Sequence, residues 1–163
     1  MTIVSVFLVA SFTSTAIWRK KELPDSISSL VWLFTGKWRW VWSVWLLAVA
    51  ITTFAPAIDL LDAKGLGAIA FAPMVLLAFV AAWPLFDEDH ENVHNIFGIA
   101  AGAFSQVAVA FLSPWWLFLW MLFAVMLADA YVGGKKRWYD GKEVFIAEAI
   151  CAVNVWGACL VFL

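Results

Sequence analysis

The sequence predicts an all-α fold: an integral membrane bundle of six transmembrane helices plus a short interfacial amphipathic helix, with both termini extracytoplasmic. Three observations predict it. Of the 163 residues, 65% are hydrophobic and 13% are charged, and the mean hydropathy is +0.92. Soluble domains run nearer half apolar and a quarter charged, and disordered chains are more polar still. Uncharged runs then recur at 1–18, 40–58, 65–86 and 92–128, followed by an apolar segment at 144–163. A membrane helix needs about 20 mostly apolar residues, so these runs have spanning length. Finally, Lys and Arg cluster in alternate loops, which sets an orientation.

Each element has a local reason. The run 2–18 is followed, not preceded, by Arg19, Lys20 and Lys21. A signal peptide carries its positive charges first, so this run reads as a retained span. Residues 24–36 are too few to cross. Their apolar positions Ile27, Leu30, Val31 and Phe34 follow i, i+3, i+4, i+7 spacing, with Asp25 or Ser26 to cap the start and Gly36 the end. That pattern predicts an amphipathic helix lying on the inner interface. Spans two and three fall at 39–58 and 65–86, the latter interrupted by Pro73, which should kink it. The run 92–128 is too long for one helix. Pro114 near its middle belongs in a first turn, so the run divides into spans at 92–112 and 114–132. The sixth span covers 143–163. Together they make one transmembrane domain, 1–163, with short loops.

Nine of the ten Lys and Arg residues lie in the loops after spans one, three and five, and only Lys64 lies on the other side. This places the basic side in the cytoplasm of what reads as a bacterial inner membrane. The tryptophans fit an interfacial belt: Trp18, Trp38, Trp40 and Trp83 at cytoplasmic helix ends, Trp115 and Trp116 at an outer one. Trp45, Trp120 and Trp156 fall deeper and should fill helix contacts. Cys151 and Cys159 are eight positions apart on one helix and cannot form a disulfide. The net charge of −2 gives no reason to bind nucleic acid, and membrane lipids are the expected partners.

Ionisable groups at membrane depth are costly and face a bundle interior or a hydrated cavity. Asp87, Glu88, Asp89, His90, Glu91 and His94 bridge spans three and four, Asp129 lies near the cytoplasmic end of span five, and Glu148 lies inside span six. With Ser28 of the interfacial segment, His94, Asp129, Glu148 and Asp87 define a candidate polar pocket in the cytoplasmic leaflet. His94, Gly98, Ala101 and Ser105 share one helix face, and Gly98 and Gly102 form a G-x-x-x-G pair suited to close helix approach, including a homo-oligomer. Ser5, Ser11, Ser14, Thr15 and Ser43 read as hydroxyls bonding helix backbone or a neighbour. Gln106 and Asn154 read as interhelical hydrogen-bond partners.

Residues 90–94, H-E-N-V-H, match H-E-x-x-H, which places two imidazoles on one helix face for zinc with the Glu as general base. The candidate ligands are His90, His94 and Glu148, with Asp129 as another source of the third ligand, and Glu91 is the candidate catalytic base. Zinc is the one cofactor the sequence raises. The match resembles site-2-type membrane zinc proteases, although the motif opens at the first turn of its helix.

Three further segments carry a resemblance. Residues 23–28 read L-P-D-S-I-S, Pro84-Leu85-Phe86 precedes Glu91-x-x-His94 and Gly98, and residues 147–151 read A-E-A-I-C. Together they resemble a group of small bacterial and phage-associated polytopic membrane proteins of unassigned activity. The resemblance implies that Glu91, His94 and Glu148 matter more than His90. A fainter likeness is to Frag1-like membrane proteins. CREST-type membrane hydrolases use three His around zinc, and this chain has only two His.

The function expected from these residues is a small polytopic membrane protein whose cytoplasmic-leaflet pocket binds a lipid headgroup, ion or small solute. The alternatives are a zinc-dependent membrane hydrolase using H-E-N-V-H, or a proton-coupled carrier titrating Glu148 and Asp129.

Overall fold

The computed structural model describes residues 1–34, 36–86, 91–133 and 141–162, and all their side chains except those of 32, 33, 36, 83–86 and 91–93. Among the described residues every regular element is helical. The α-helices are α1 (Thr2–Lys20), α2 (Arg39–Asp62), α3 (Gly67–Phe86), α4 (Glu91–Leu112), α5 (Leu119–Gly133) and α6 (Glu143–Leu160). Short 3₁₀ segments at Ser28–Leu33, Gly36–Trp38 and Pro114–Phe118 connect them. Five stretches are long and apolar enough to cross a membrane: Thr2–Lys20, Arg39–Asp62, His94–Leu112, Pro114–Gly133 and Glu143–Leu160. At a rise of about 1.5 Å per residue they match a hydrocarbon layer of about 30 Å. The described apolar part of α3, Gly67–Ala82, is shorter.

Many large apolar side chains face outward, and some polar ones are buried between the helices. Ile3, Phe7, Phe71, Phe79, Ile99, Phe111 and Met121 point outward, while Thr2, Ser5, Ser43, Thr53, His94, Ser105 and Asn154 are buried. Apolar side chains suit a lipid surround, and hydroxyls and amides are best satisfied between helices. α2 and α3 form the most extensive pair, α3 and α4 the next, and α6 packs against α4, α2 and α1. α5 lies outermost and buries no residue.

Two apolar clusters stack along the bundle. One joins Phe54, Ala57 and Leu61 of α2 to Ala70, Ala108, Val109, Leu112, Val155 and Ala158. The other joins Ala16, Leu30 and Val31 to Trp42, Trp45, Val49, Val80 and Ala81. The second gathers the end of α1, the start of α2 and the end of α3, so consecutive helices alternate in direction. Arg19, Lys20, Lys21, Lys37, Arg39 and Lys142 all belong to that end of the bundle. Lys64 lies at the other end, where its Nζ donates to the Phe111 carbonyl at 3.2 Å.

Three local expectations change. Residues 28–33 form a 3₁₀ segment rather than an α-helix, and their apolar face packs on the bundle: Leu30 and Val31 are buried in the second cluster. The spacing i, i+3 fits either helix type, and the proximity of Trp42 and Trp45 supplies a better cover than the interface. α2 continues to Asp62, past Pro56 and Asp59, since carboxylates at a helix end still reach water. Trp115 is exposed as an interfacial residue should be, but Trp116 turns inward against the first cluster. The notch that receives it is Gly157, where a Cβ would run into the Trp116 ring.

Candidate functional site

At the end of α1, Lys21 adopts a left-handed conformation (φ 61°) and its N–H caps Ile17 at 2.7 Å, which turns the chain back toward the bundle. The next residues are fixed by their own hydroxyls. Ser26 Oγ accepts the Ser29 N–H at 2.8 Å, Ser29 Oγ accepts the Ser26 N–H at 3.2 Å, and the Ser29 hydroxyl donates to the Ser26 carbonyl at 2.7 Å. These bonds shape the turn that leads into the 3₁₀ segment, in the way short Ser side chains favour.

The same loop is pinned to the start of α6. The Phe145 N–H donates to the Asp25 carbonyl at 3.1 Å, and Lys142 Nζ pairs with Asp25 Oδ1 at 2.5 Å. The hydrogen bond to Asp25 holds the Lys142 ammonium above its ordinary value, aided by the charges of Asp25 and Glu22 against some loss of hydration. Deeper, one Glu148 carboxylate oxygen accepts the Ile27 N–H, and the other accepts the Ser28 hydroxyl at 3.5 Å. A carboxylate at the open N–H end of a helical segment is favourable in charge and in hydrogen bonding. Residues 25–28 and α6, some 120 positions apart in sequence, thereby form one latch.

Between this latch and α1 lies a small cleft lined by Ala16, Lys20, Glu22, Pro24, Ser29 and Leu30. Ala16, Pro24 and Leu30 are buried and make its apolar floor, while Lys20 and Glu22 are exposed at its rim. It therefore offers opposite charges over an apolar base at the end of a membrane-length helix.

Of the pocket residues expected from sequence, Glu148 and Ser28 come together in the latch. His94 is buried on α4, on the same inward stripe as Ala101 and Ser105. The register of α4 against α6 fixes its level: a Cβ on Gly102 would lie 3.6 Å from Cys151 Sγ, and Gln106 Nε2 donates to the Cys151 carbonyl at 3.5 Å. By helical rise, His94 then lies about 7.5 Å nearer the loop end than Glu148. Asp129 is exposed on the outlying α5. Asp87 and His90 lie outside the described residues, as does the side chain of Glu91, so the H-E-N-V-H reading falls there. Among the described residues, no three His, Cys, Asp or Glu side chains converge to hold a metal. Gly102 packs within the chain, and a Cβ at Gly98 would meet open space.

Two other polar clusters join helices at depth. Gln106 Oε1 accepts from Trp120 Nε1 at 2.9 Å and from Asn154 Nδ2 at 2.7 Å, tying α4, α5 and α6. Ser5 and Thr53 hydrogen-bond to each other, and Trp156 Nε1 donates to them at 3.1 and 3.3 Å, tying α1, α2 and α6. Ser11 and Thr15 bond backbone carbonyls of α1 itself. Both clusters hold helices together, with Asn154 Oδ1 left buried without a partner.

Sequence reasoning missed Lys20, Glu22 and Ser29 as a group. The basic residues near 20 entered only as a topology signal, and nothing in their spacing announces that the loop folds back over them. No known family model matches this chain, and comparison with curated proteins and with solved structures found no match. The roles of these residues therefore rest on their geometry.

Proposed function

We propose that the chain is a six-span protein of the bacterial inner membrane, with both ends outside, whose cytoplasmic-leaflet polar pocket binds a lipid headgroup. The observation that carries this reading is the latched loop 25–29, which walls a cleft with Lys20 and Glu22 at its rim and Ala16, Pro24 and Leu30 at its base. Such a site suits an amphiphile. The polar rim meets the headgroup at the bilayer boundary, and the apolar base meets the glycerol and upper acyl carbons. A freely diffusing ion would need a denser set of oxygen ligands.

α3 supplies the remaining crossing. It has 20 residues, Gly67–Phe86, and it runs opposite to α2 and α4. The basic residues gathered at the cleft end of the bundle support a cytoplasmic location for that end.

The test is lipid retention. Full-length protein washed extensively in mild detergent is expected to carry phospholipid in native mass spectrometry, and Lys20→Gln to carry less. Wild-type protein free of lipid, and unable to take any up on titration, would refute the reading.

A further inference from the structure

We infer that the basic end of α1 and α2 carries a docking belt for acidic phospholipid, in which Arg19, Lys21 and Lys37 meet the headgroup phosphate and Trp18, Trp38 and Trp40 lie at the glycerol level. The belt is separate from the cleft, which none of these six residues lines.

The register of α1 against α2 puts these residues at one level. Ser5 hydrogen-bonds to Thr53, and the Phe12 ring stacks on Trp45 with centroids 4.4 Å apart, so the two helices run antiparallel in contact. From Phe12 on to Trp18 the rise is about 9 Å, and from Trp45 back to Trp40 it is about 7.5 Å. Trp18 and Trp40 therefore end at nearly the same height, with Arg19 and Lys21 following the one and Lys37 and Trp38 preceding the other. Trp18, Trp38 and Trp40 are 71%, 56% and 51% exposed. Indoles left uncovered at the end of a membrane-length helix sit where an apolar ring meets hydration, at the headgroup boundary.

Charge decides what covers them. Residues 19–39 hold five of the ten Lys and Arg residues and two of the twelve Asp and Glu residues, which leaves five bases against ten acids in the rest of the chain. Of the two acids, Asp25 is paired with Lys142. Arg19, Lys21 and Lys37 are exposed and make no ion pair with a described residue. Lys21 is also held in place: its N–H caps the Ile17 carbonyl at 2.7 Å, and its Nζ lies 5.8 Å from the centroid of the Trp18 ring. An ammonium fixed at the height of an interfacial indole meets a phosphate when the ring meets the glycerol. Phosphatidylglycerol brings that phosphate without a balancing cation. Phosphatidylcholine and phosphatidylethanolamine carry a cation of their own, which these side chains repel.

The experiment reconstitutes the full chain in phosphatidylcholine bilayers and measures quenching of its tryptophans by phosphatidylglycerol or phosphatidylcholine brominated in the acyl chains. At low salt, phosphatidylglycerol is expected to occupy the belt about five-fold more strongly than phosphatidylcholine, the gain of one cation beside an anionic surface. The preference should fall toward one at 1 M salt, where the Debye length is about 3 Å. Combining Arg19→Gln, Lys21→Gln and Lys37→Gln is expected to remove it, while Lys64→Gln at the opposite end keeps it. All four positions are exposed, and thermal melting checks that the variants fold. Combining Trp18→Phe, Trp38→Phe and Trp40→Phe keeps every charge and should erase the difference between the two quenchers, since the reporters of the belt are gone. Equal quenching by the two lipids in wild type would overturn the belt, and so would a preference that survives in the triple Gln variant. Relief of the quenching by soluble glycerophosphate at matched ionic strength would overturn the lipid as its occupant. The cleft stands or falls separately, since its test varies Lys20.

Discussion

Glu148 is the residue on which the loop depends. Its two oxygens serve the Ile27 N–H and the Ser28 hydroxyl, and both donors come from a segment with few other anchors to α6. Glu148→Gln keeps one carbonyl oxygen and turns an amide NH₂ toward one of the two donors. It should fold, lose about 1–3 kcal/mol in thermal unfolding, and speed hydrogen exchange at Ile27. Unchanged exchange there would mean that the latch is held by other contacts. The Asp25–Lys142 pair acts at the rim of the same latch and adds a pH dependence. Because Lys142 is raised in the fold above its ordinary 10.5, its contribution is present in full below that value. It is lost as pH rises through the folded-state value. Exchange at Phe145, whose N–H is bonded to Asp25, should therefore accelerate in strongly alkaline solution more in wild type than in Lys142→Met.

At the scale of elements, glycine positions separate contacts that sequence alone cannot rank. Gly157 is occupied by the Trp116 ring, Gly102 faces Cys151 at van der Waals distance, and Gly98 faces open space. Gly157→Ala should destabilise the protein by about 1–3 kcal/mol through forced displacement of the indole. The loss should shrink when Trp116 is first cut to Ala. Gly98→Ala should be neutral or stabilising by up to about 1 kcal/mol, from helix propensity. Thermal melts of the four variants check both statements. The same comparison shows what was legible. Helix positions follow from runs of apolar residues, and the division at Ser113–Pro114 follows from the fixed φ of proline, since both are properties of the local chain. Trp116 turning into Gly157, and Glu148 reaching residues 27 and 28, are contacts between segments distant in sequence. Periodicity says which face of a helix is apolar but not which helix covers it. The 3₁₀ form of residues 28–33 was hidden for a related reason: two helix types share the i, i+3 spacing, and apolar positions alone do not choose between them.

For the whole molecule, the distribution of charge determines how the bundle sits in its membrane, and the fold makes that distribution compact. Six described cations lie at the end shared by the latch and the cleft, whereas Lys64 lies alone at the other. Lys64 is also chemically occupied there: its ammonium donates to the Phe111 carbonyl at 3.2 Å and lies 5.8 Å from the Phe162 ring. A cation that caps the last carbonyls of α4 serves that helix end and weighs less against the bias of the opposite end. The latch end should therefore face the cytoplasm. Impermeant thiol labelling tests this with single cysteines at positions between the helices. Ala63→Cys and Ser113→Cys should label in intact cells, and Trp38→Cys only after the cells are opened. The native Cys151 and Cys159 lie within α6, half-buried and buried, and the unsubstituted chain serves as the labelling baseline. The reverse pattern would invert the protein and move the cleft to the outer leaflet. Labelling of Ala63 and Trp38 from the same side would deny that α2, 24 residues long and apolar, crosses the membrane at all.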